Sequence, residues 1–306
     1  MTRLLLLGAN GQLGHALAHV LPALGEVIAP PRSALDLADA DALRETVRAL
    51  RPRVVVNAAA HSAVDAAESD AAEADRINHR APAVLAEELA AQGGMLMHYS
   101  TEYVFAGNGG SGPNGAYRED DPTGPRNVYG RTKLAGELAV RARLPAHLIF
   151  RTSWLYGLHG DNFITTMLGL MRERDTLQVV ADQVGAPTPA TLLVEATVRA
   201  LRRCLGLAEP GHGPAEPPWG TWHVQAAGAT TWHAYAEFLL AAFYARGVPG
   251  LRCRSVEPVS SAALARPAPR PAQGKLDCRR IEAALGLAMP DWRDALNLHL
   301  DEFLTE

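Results

Sequence analysis

The sequence predicts an α/β protein built on a doubly wound parallel sheet, with a second, smaller α/β domain. Three observations lead to this prediction. Apolar strand patterns alternate with helical patterns through about residue 150, which is the order of βα units. A glycine-rich turn over residues 8–14 follows the first strand and opens a helix. After Trp154 the alternation gives way to shorter, interrupted elements, which indicates a second domain.

Composition excludes several classes of function. The chain has 306 residues, a formal net charge of −4, 48% hydrophobic and 20% charged residues, which is typical of a globular protein with a full core. It has no basic patch for nucleic acid, no polybasic run for a membrane surface and no long apolar stretch. Cys204, Cys253 and Cys278 are widely spaced, so neither a disulfide framework nor a zinc site is expected. We therefore expect a soluble cytoplasmic protein with a small-molecule partner.

The first βα unit is expected to bind a dinucleotide. An apolar strand at residues 3–7 leads into a turn with the spacing G-x-x-G-x-x-G and then a helix to about residue 21. Glycines let the backbone approach a pyrophosphate, and the helix N-terminus faces its charge, as in a Rossmann-type fold. A plain strand-to-helix turn is the alternative. The candidate cofactor contacts here are Gly8, Asn10, Gly11, Gln12 and Leu13.

The residues after the second strand, which is predicted at residues 26–29, indicate which of the two nicotinamide cofactors the protein prefers. An acidic residue there would bind the 2′-hydroxyl of NAD, whereas an arginine accommodates the 2′-phosphate of NADP. The chain has Arg32 at this point and no acid until Asp36, followed by Leu37. These residues favour NADPH and leave NADH as the alternative.

The next elements alternate in the same way. A helix is predicted at residues 39–50 and a buried strand at 53–57, which ends in Ala58, Ala59 and Ala60. Small residues at the end of a strand leave room for a cofactor. A long polar helix is predicted over residues 64–91.

The strand at residues 95–99 ends in Ser100 and Thr101. Ligands of open parallel sheets bind at the carboxyl ends of the strands, so both residues are expected at the cofactor crevice. The hydroxyl of Thr101 is suited to hold a substrate oxygen. A cluster of Gly, Pro, Asn and Asp then predicts a long loop over residues 106–126.

The following helix, predicted at residues 127–143 with Asn127 as N-cap, carries Tyr129 and Lys133. Residues four apart share one face of a helix, so the phenol and the ammonium group can share one site. A cation beside a phenol favours the phenolate, and we expect Lys133 to lower the pKa of Tyr129 toward the operating pH of a proton donor. The alternative is an ordinary surface pair. Of 29 basic residues only Lys133 and Lys275 are lysines. This scarcity favours a specific role for Lys133 over an ordinary surface position.

The strand at residues 146–150 completes the nucleotide-binding core. The later elements are predicted as helices at 162–172, 191–205, 232–246, 279–285 and 292–304, strands at 177–180 and 221–224, an extended segment at 251–257 and a loop at 206–220. We predict that residues 1–153 and 186–226 form the dinucleotide-binding domain. Residues 154–185 and 227–306 then form the substrate-binding domain.

Taken together, the motifs resemble the extended short-chain dehydrogenase/reductases and, within them, the dTDP-4-dehydrorhamnose reductase family. The resemblance spans nearly the whole chain. Besides the glycine turn and the Tyr129 to Lys133 motif, it rests on residues 57–65, 98–105, 151–154 (Arg-Thr-Ser-Trp), 182–188 (Asp-Gln-Val-Gly-Ala-Pro-Thr) and 270–271.

This resemblance implies a reaction. A hydride moves from NADPH to C4 of a dTDP-linked 4-keto-6-deoxysugar, dTDP-4-dehydro-L-rhamnose (dTDP-6-deoxy-L-lyxo-4-hexulose), and gives dTDP-L-rhamnose, a precursor in carbohydrate biosynthesis. Tyr129 would protonate the carbonyl oxygen, Thr101 would hydrogen-bond it, and Lys133 would hold the nicotinamide ribose.

The resemblance also implies the substrate contacts. Val64, Trp154 and Asn162 would line the sugar or nucleotide pocket, and Arg270 would pair with the diphosphate. Glu102 stands where the family often has aspartate, one methylene shorter. Taken by themselves, Trp154 is equally compatible with core packing and Arg270 with a solvated loop.

Some family members hold a metal with glutamates at a dimer contact. The matching positions here are Ala16, Thr191 and Arg293, none of which is a ligand for a hard cation. We therefore expect no Mg²⁺ and no metal-bridged dimer, and the oligomeric state stays open.

Two other functions remain as alternatives. A regulatory subunit could keep the fold and bind nucleotide without turnover, although it would need no proton donor. An epimerase or dehydratase of nucleotide sugars uses the same cofactor but regenerates it. Net consumption of NADPH separates both from a reductase.

Overall fold

The computed structural model of the protein describes residues 2–207 and 216–304. Its α-helices are α1 (Gln12–Val20), α2 (Ala40–Leu50), α3 (Val64–Ser69), α4 (Ala71–Asp75), α5 (Ala81–Gln92), α6 (Val128–Arg143), α7 (Phe163–Glu173), α8 (Ala190–Cys204), α9 (Trp232–Ala245), α10 (Arg279–Leu285) and α11 (Trp292–Phe303). Its strands are β1 (Arg3–Leu7), β2 (Glu26–Ile28), β3 (Val54–Asn57), β4 (Met95–Thr101), β5 (His147–Thr152), β6 (Leu155–Tyr156), β7 (Thr176–Val180), β8 (Val184–Gly185), β9 (Thr188–Pro189), β10 (Gly220–His223), β11 (Thr230–Thr231) and β12 (Ser255–Val259).

The central sheet confirms the predicted fold. Over the described ranges it has six strands in the order β2-β1-β3-β4-β5-β10, and every neighbouring pair is parallel. Helices cover both faces. Leu4 and Leu6 of β1 belong to one core cluster, whereas Leu5 and Leu7 belong to another, because successive strand residues point to opposite faces. A strand covered on both sides is therefore a continuous apolar run.

The order of strands reverses between β1 and β3, since β2 lies on one side of β1 and β3 on the other. A reversal of this kind opens a crevice at the carboxyl ends of the strands. Gly8, directly after β1, has a φ of +82°, and a Cβ there would come within 2.6 Å of the backbone nitrogen of Ala59. Only glycine satisfies both the conformation and the close approach.

The prediction of one continuous helix over residues 64–91 is wrong. A break separates α3 from α4, and residues 76–80 form a π-helical turn before α5. Asn78 lies in this turn, accepts the N–H of His61 at 2.9 Å, and donates to the hydroxyl of Thr132 at 3.2 Å. The interruption thus ties the segment after β3 to α6, which carries the candidate catalytic residues.

The other predicted elements are present with small differences in their bounds. Strands β4 and β5 continue further than predicted, to Thr101 and Thr152. Residues 106–126 are irregular apart from a short 3₁₀ turn at Pro113–Gly115. The loop predicted over 206–220 lies partly outside the described residues. Within the described part of the chain, no helix has the length and apolar character needed to cross a membrane.

Shorter elements follow the central sheet. Strands β7 and β12 form a parallel pair, β6 and β9 another, and β8 pairs with β11 in the antiparallel sense. The apolar side chains of this region, among them Leu239, Phe243 and Trp292, belong to the same core cluster as Leu4 of the central sheet. The division into two domains therefore stays a prediction.

Candidate active site

Helix α6 brings Tyr129 and Lys133 to the end of β4. Asn127 caps the helix as predicted, because its side-chain oxygen accepts the N–H of Gly130 at 2.8 Å. A Cβ at Gly130 would overlap the carbonyl oxygen of Tyr103. Glycine at this position therefore lets the first turn of α6 lie against the residues that follow β4.

The ammonium group of Lys133 is buried. The residue is only 2% exposed, and Nζ donates to the carbonyl oxygen of Tyr99 at 2.6 Å. Burial lowers the pKa of Lys133 to about 8, because desolvation disfavours the charged form, and the charge of Glu137 opposes this shift. Glu137 is itself paired with the guanidinium of Arg151 at 2.6 Å. At neutral pH Lys133 is thus still mostly cationic.

The expected downward shift of the Tyr129 pKa is wrong for this structure. Burial raises the pKa of Tyr129, the negative charge of Glu102 raises it further, and a hydrogen bond with Thr101 opposes both effects. The sequence shows the lysine four residues away but not the apolar surroundings, whose effect is larger here. Tyr129 consequently keeps its proton at neutral pH, as a proton donor must.

Thr101 connects Tyr129 to an acidic side chain. Its hydroxyl donates to a carboxyl oxygen of Glu102 at 2.8 Å and accepts the backbone N–H of Tyr103 at 3.2 Å. Glu102 is 3% exposed, and burial raises the pKa of its carboxyl group to about 8. Three side chains that can exchange protons therefore meet at the end of β4.

These groups lie in the wall of a cavity of about 580 Å³ at the carboxyl ends of the central strands. This volume lies within the usual range for small-molecule sites. The predicted cofactor residues in its wall are Gly8, Asn10, Gly11, Gln12, Leu13, Arg32, Asp36, Leu37, Ala58, Ala59, Ala60, Ser100, Tyr129 and Lys133, which is the complete predicted set. The predicted substrate residues in it are Val64, Thr101, Glu102 and Trp154.

The cavity wall fits a dinucleotide. Gly11 is the residue before α1, and within the described structure no side chain caps this helix. The N–H groups of the first turn of α1 therefore remain available for a pyrophosphate. A Cβ at Gly14 would overlap the carbonyl oxygen of Gly8, so the helix lies directly on the turn. The buried hydroxyls of Ser100 and Thr152 line the cavity and have no hydrogen-bond partner among the described residues. Buried polar atoms are nearly always bonded, so these two suit a polar ligand.

Arg32 lies at the solvent side of this cavity. Its side chain is 72% exposed, and its guanidinium lies 3.6 Å from Asp36 and 3.5 Å from Glu73. Asp36 also accepts the backbone N–H of Ala38 at 3.0 Å. A solvated arginine at this end of the crevice agrees with a place for an additional phosphate.

Two predicted substrate residues are not in the cavity wall. Asn162 caps α7, accepting the N–H of Ile164 at 2.9 Å and donating to the carbonyl of Gly157 at 2.8 Å, so the local backbone uses its amide. Arg270 forms two 2.9 Å hydrogen bonds with the carboxylate of Asp65, which follows Val64 of the cavity wall. Sequence reasoning missed Asp65 because it lies 205 residues from Arg270.

Trp232 is a cavity residue that sequence reasoning missed. Its indole is stacked on that of Trp154, with ring centroids 3.6 Å apart and planes at 14°. Trp154 has a φ of +43°, a conformation that costs energy for a residue with a side chain. Its ring lies so close to Gly185 that a Cβ there would come within 2.6 Å. A strained, closely held tryptophan at a cavity wall indicates a binding role.

The positions that match the family's metal ligands lie elsewhere. Ala16 and Thr191 line a second cavity of about 340 Å³, and Arg293 lies over the ring of Trp292 at 4.4 Å. The second cavity also contains four histidines, His15, His19, His159 and His299. No group of three or more His, Cys, Asp or Glu side chains in the described residues is arranged to hold a metal.

Known proteins resemble this chain over its whole length. The family model described as the RmlD substrate binding domain matches residues 1–305. The dTDP-4-dehydrorhamnose reductase of Burkholderia thailandensis is 41% identical over 307 residues, covering 99% of this chain and 100% of the relative.

Two solved structures agree with this result. A dTDP-4-dehydrorhamnose reductase of Clostridium acetobutylicum is 32% identical with a TM-score of 0.87, covering 98% of this chain and 99% of that one. The corresponding enzyme of Bacillus anthracis, solved in complex with NADP, is 31% identical with a TM-score of 0.86, covering 99% of this chain and 100% of that one.

Proposed function

The chain belongs to the family of dTDP-4-dehydrorhamnose reductases, and on this basis we propose that Tyr129 is the proton donor of the reduction. The protein is an NADPH-dependent oxidoreductase that converts dTDP-4-dehydro-L-rhamnose to dTDP-L-rhamnose. The observation that carries the assignment of Tyr129 is its position in the crevice wall together with Thr101 and Lys133.

Each of the three residues has a separate part in the chemistry. When bound, NADPH supplies the hydride for C4 of the ketosugar. Tyr129 donates its phenolic proton to the carbonyl oxygen as negative charge develops there, which avoids a free alkoxide in a buried site. The hydroxyl of Thr101 hydrogen-bonds the same oxygen. The cationic Lys133 holds the nicotinamide ribose hydroxyls and stabilises the phenolate that Tyr129 becomes.

The remaining cofactor contacts are proposed from the cavity wall. The turn from Gly8 to Leu13 receives the pyrophosphate, and Ser100 together with Thr152 hydrogen-bonds the nicotinamide half. The exposed guanidinium of Arg32 supports a contact with the 2′-phosphate that NADPH has and NADH lacks.

The substrate contacts are also proposals. Val64, Glu102 and the stacked Trp154 would face the sugar. Arg270 would reach the diphosphate while Asp65 fixes its guanidinium, because the pair lies beside Val64 and Tyr103. For Asn162 we propose an indirect part, since its amide holds the carbonyl of Gly157, whose N–H in turn donates to the crevice residue Gln12 at 2.9 Å.

The decisive variant is Tyr129→Phe, which removes the proton and keeps the ring. With dTDP-4-dehydro-L-rhamnose, we expect net NADPH oxidation to fall by about 10²- to 10⁴-fold, the usual contribution of a positioned acid. The dissociation constant for NADPH, measured by fluorescence titration, should change little.

Tyr244→Phe is the matched control. Tyr244 is 45% exposed and its hydroxyl donates to Cys253 at 2.7 Å, away from the crevice, so activity should remain at the wild-type level. Full activity of Tyr129→Phe would refute the proposed proton donor.

Turnover without net NADPH consumption would indicate an epimerase or dehydratase instead. NMR of the product from competing dTDP- and UDP-linked ketosugars identifies the nucleotide and the C4 configuration.

We also propose a cytoplasmic location and no nucleic-acid partner, on the basis of composition and of three unpaired cysteines.

A further inference from the structure

We propose that Glu102 restores the proton that Tyr129 gives up, acting through the hydroxyl of Thr101. The proposal rests on the proposed function, because it requires Tyr129 as the donor. It assigns to Glu102 a part in proton supply, in addition to any contact with the sugar.

The structure places Glu102, Thr101 and Tyr129 next to one another at the end of β4. The Thr101 hydroxyl lies 2.8 Å from a carboxyl oxygen of Glu102, and Thr101 is near enough to the Tyr129 phenol to oppose the rise of its pKa. A hydroxyl can accept one proton while it releases another, so Thr101 can pass a proton between an acid and a phenolate. Glu102 and Tyr129 both line the crevice, so the path ends where the reaction occurs.

Glu102 is held in this position without a cationic partner. Its side chain makes no salt bridge within the described residues, although the chain contains many arginines. Gly274 lies against it, since a Cβ there would come within 3.1 Å of the Glu102 Cγ. A carboxyl group buried without a counter-charge favours its neutral form, which carries the proton that a relay needs.

The ionisable groups around Glu102 agree with this role. The neighbouring phenols of Tyr103 and Tyr129 are both affected by its charge, and Arg270 and Arg266 act on Tyr103 from the segment that also contains Gly274. Because burial raises the pKa of Glu102 to about 8, the carboxyl group is mostly protonated at neutral pH.

The proton path balances in three steps. First, the O–H bond of Tyr129 breaks, an O–H bond forms on the sugar, and Tyr129 becomes a phenolate. Second, the carboxyl proton of Glu102 moves to the oxygen of Thr101, while the hydrogen of Thr101 moves to the oxygen of Tyr129. Tyr129 is then a phenol again and Glu102 a carboxylate. Third, Glu102 takes a proton from water after the product has left.

A single-turnover experiment tests this path. Glu102→Gln keeps the size and neutrality of the protonated side chain but has no acidic proton. The first turnover uses the proton already on Tyr129, so at saturating ketosugar its rate, measured by stopped-flow NADPH absorbance, should be reduced much less than the rate of the later turnovers. Later turnovers must wait for slower reprotonation. We expect the steady-state rate to fall by about tenfold or more, which produces a burst of one NADPH oxidised per site.

Two further variants make each outcome decisive. Glu102→Asp retains an acid and should turn over faster in the steady state than Glu102→Gln. A similar burst with both variants would show that side-chain length matters rather than the proton, and would overturn the proposal. Equal slowing of the first and later turnovers in Glu102→Gln, or no slowing at all, would also overturn it. Tyr129→Phe should lose the first turnover itself. The rate of the first turnover in this variant therefore tests the proposed proton donor independently of the role of Glu102.

The burst is a better measurement than an alkaline limb of the pH profile. The pKa of Lys133 is also lowered to about 8 by burial, so both residues would affect the rate in the same pH range.

Discussion

At the scale of single residues, the site combines an acid and a base whose charged forms are both disfavoured. Burial raises the pKa of Glu102 and lowers that of Lys133. A carboxyl group with a raised pKa lowers the free energy of unfolding of the protein as pH rises from about 4.5 toward 8, because the carboxyl group ionises first in the unfolded chain. An amine with a lowered pKa costs stability as pH falls from about 10.5 to 8, because the unfolded chain takes up the proton first, and the full cost persists below pH 8. Near neutral pH both groups therefore reduce the free energy of unfolding, as is common for ionisable groups at functional sites.

Arg32→Ala tests the choice of cofactor. Arg32 is largely exposed and contacts Asp36 and Glu73 only at 3.5 to 3.6 Å, so its removal should leave the fold intact. We expect the ratio of kcat/KM for NADPH to that for NADH to fall by roughly fivefold or more, the effect of one solvated ion pair.

The control for this variant is Arg172→Ala, an exposed arginine of α7 outside the crevice. It should not change the ratio. Equal efficiency of the wild-type protein with both cofactors, or an unchanged ratio in Arg32→Ala, would contradict the assigned role of Arg32.

Single residues were predictable from sequence where a local rule applies. Gly8 and Ala59 were assigned to the cofactor because they directly follow predicted strands, and both line the crevice. Trp232 was missed because it stacks on Trp154 from a distant element. The pKa of Tyr129 was predicted in the wrong direction, since desolvation depends on tertiary packing rather than on the lysine in the same helix.

At the scale of elements, the close contact of α1 with β1 determines the cofactor site. Gly14 lies on the carbonyl oxygen of Gly8, so a methyl group would push the helix away from the turn. The same reasoning explains why β4 and α6 were easy to predict. Each has a strong local signal, an apolar run in one and an Asn cap in the other. The interruption near Asn78 has no such local signal, because Asn78 forms its hydrogen bond with Thr132 of a different helix, α6.

Two glycine-to-alanine substitutions should therefore have opposite effects. Gly14→Ala is expected to weaken NADPH binding and to destabilise the protein by about 1–3 kcal/mol or more, since the helix must shift. Gly169→Ala, in the exposed interior of α7 with open space around it, is expected to stabilise the protein by about 0.5–1 kcal/mol.

Chemical denaturation and cofactor titration measure both variants. A stable Gly14→Ala protein with normal NADPH affinity would show that α1 need not lie so close to the turn.

At the scale of the whole molecule, the crevice depends on a segment far along the chain. The carbonyl of Pro269 accepts a hydrogen bond from Asn127, Arg270 pairs with Asp65, and Gly274 lies against Glu102. These contacts join residues more than a hundred positions apart. The sequence suggested Arg270 through a resemblance, but its partner required the folded structure.

The oligomeric state should be insensitive to chelators. Ala16 and Thr191 line the second cavity with neutral side chains, and Arg293 is a cation, so the positions that bind metal in some relatives offer no hard ligands here. Size-exclusion chromatography with light scattering should give the same mass before and after treatment with EDTA. A dimer that dissociates on chelation and reforms with Mg²⁺ would contradict this expectation.

The contact between Gly274 and Glu102 also affects the order in which the site is made. Every residue assigned to the cofactor lies at or before Thr152, whereas Arg270 and Gly274 leave the ribosome more than a hundred residues later. A nascent chain thus exposes its cofactor half first and completes its substrate half only after this later segment has been synthesised. The surroundings that keep Glu102 protonated are therefore absent until Gly274 has left the ribosome.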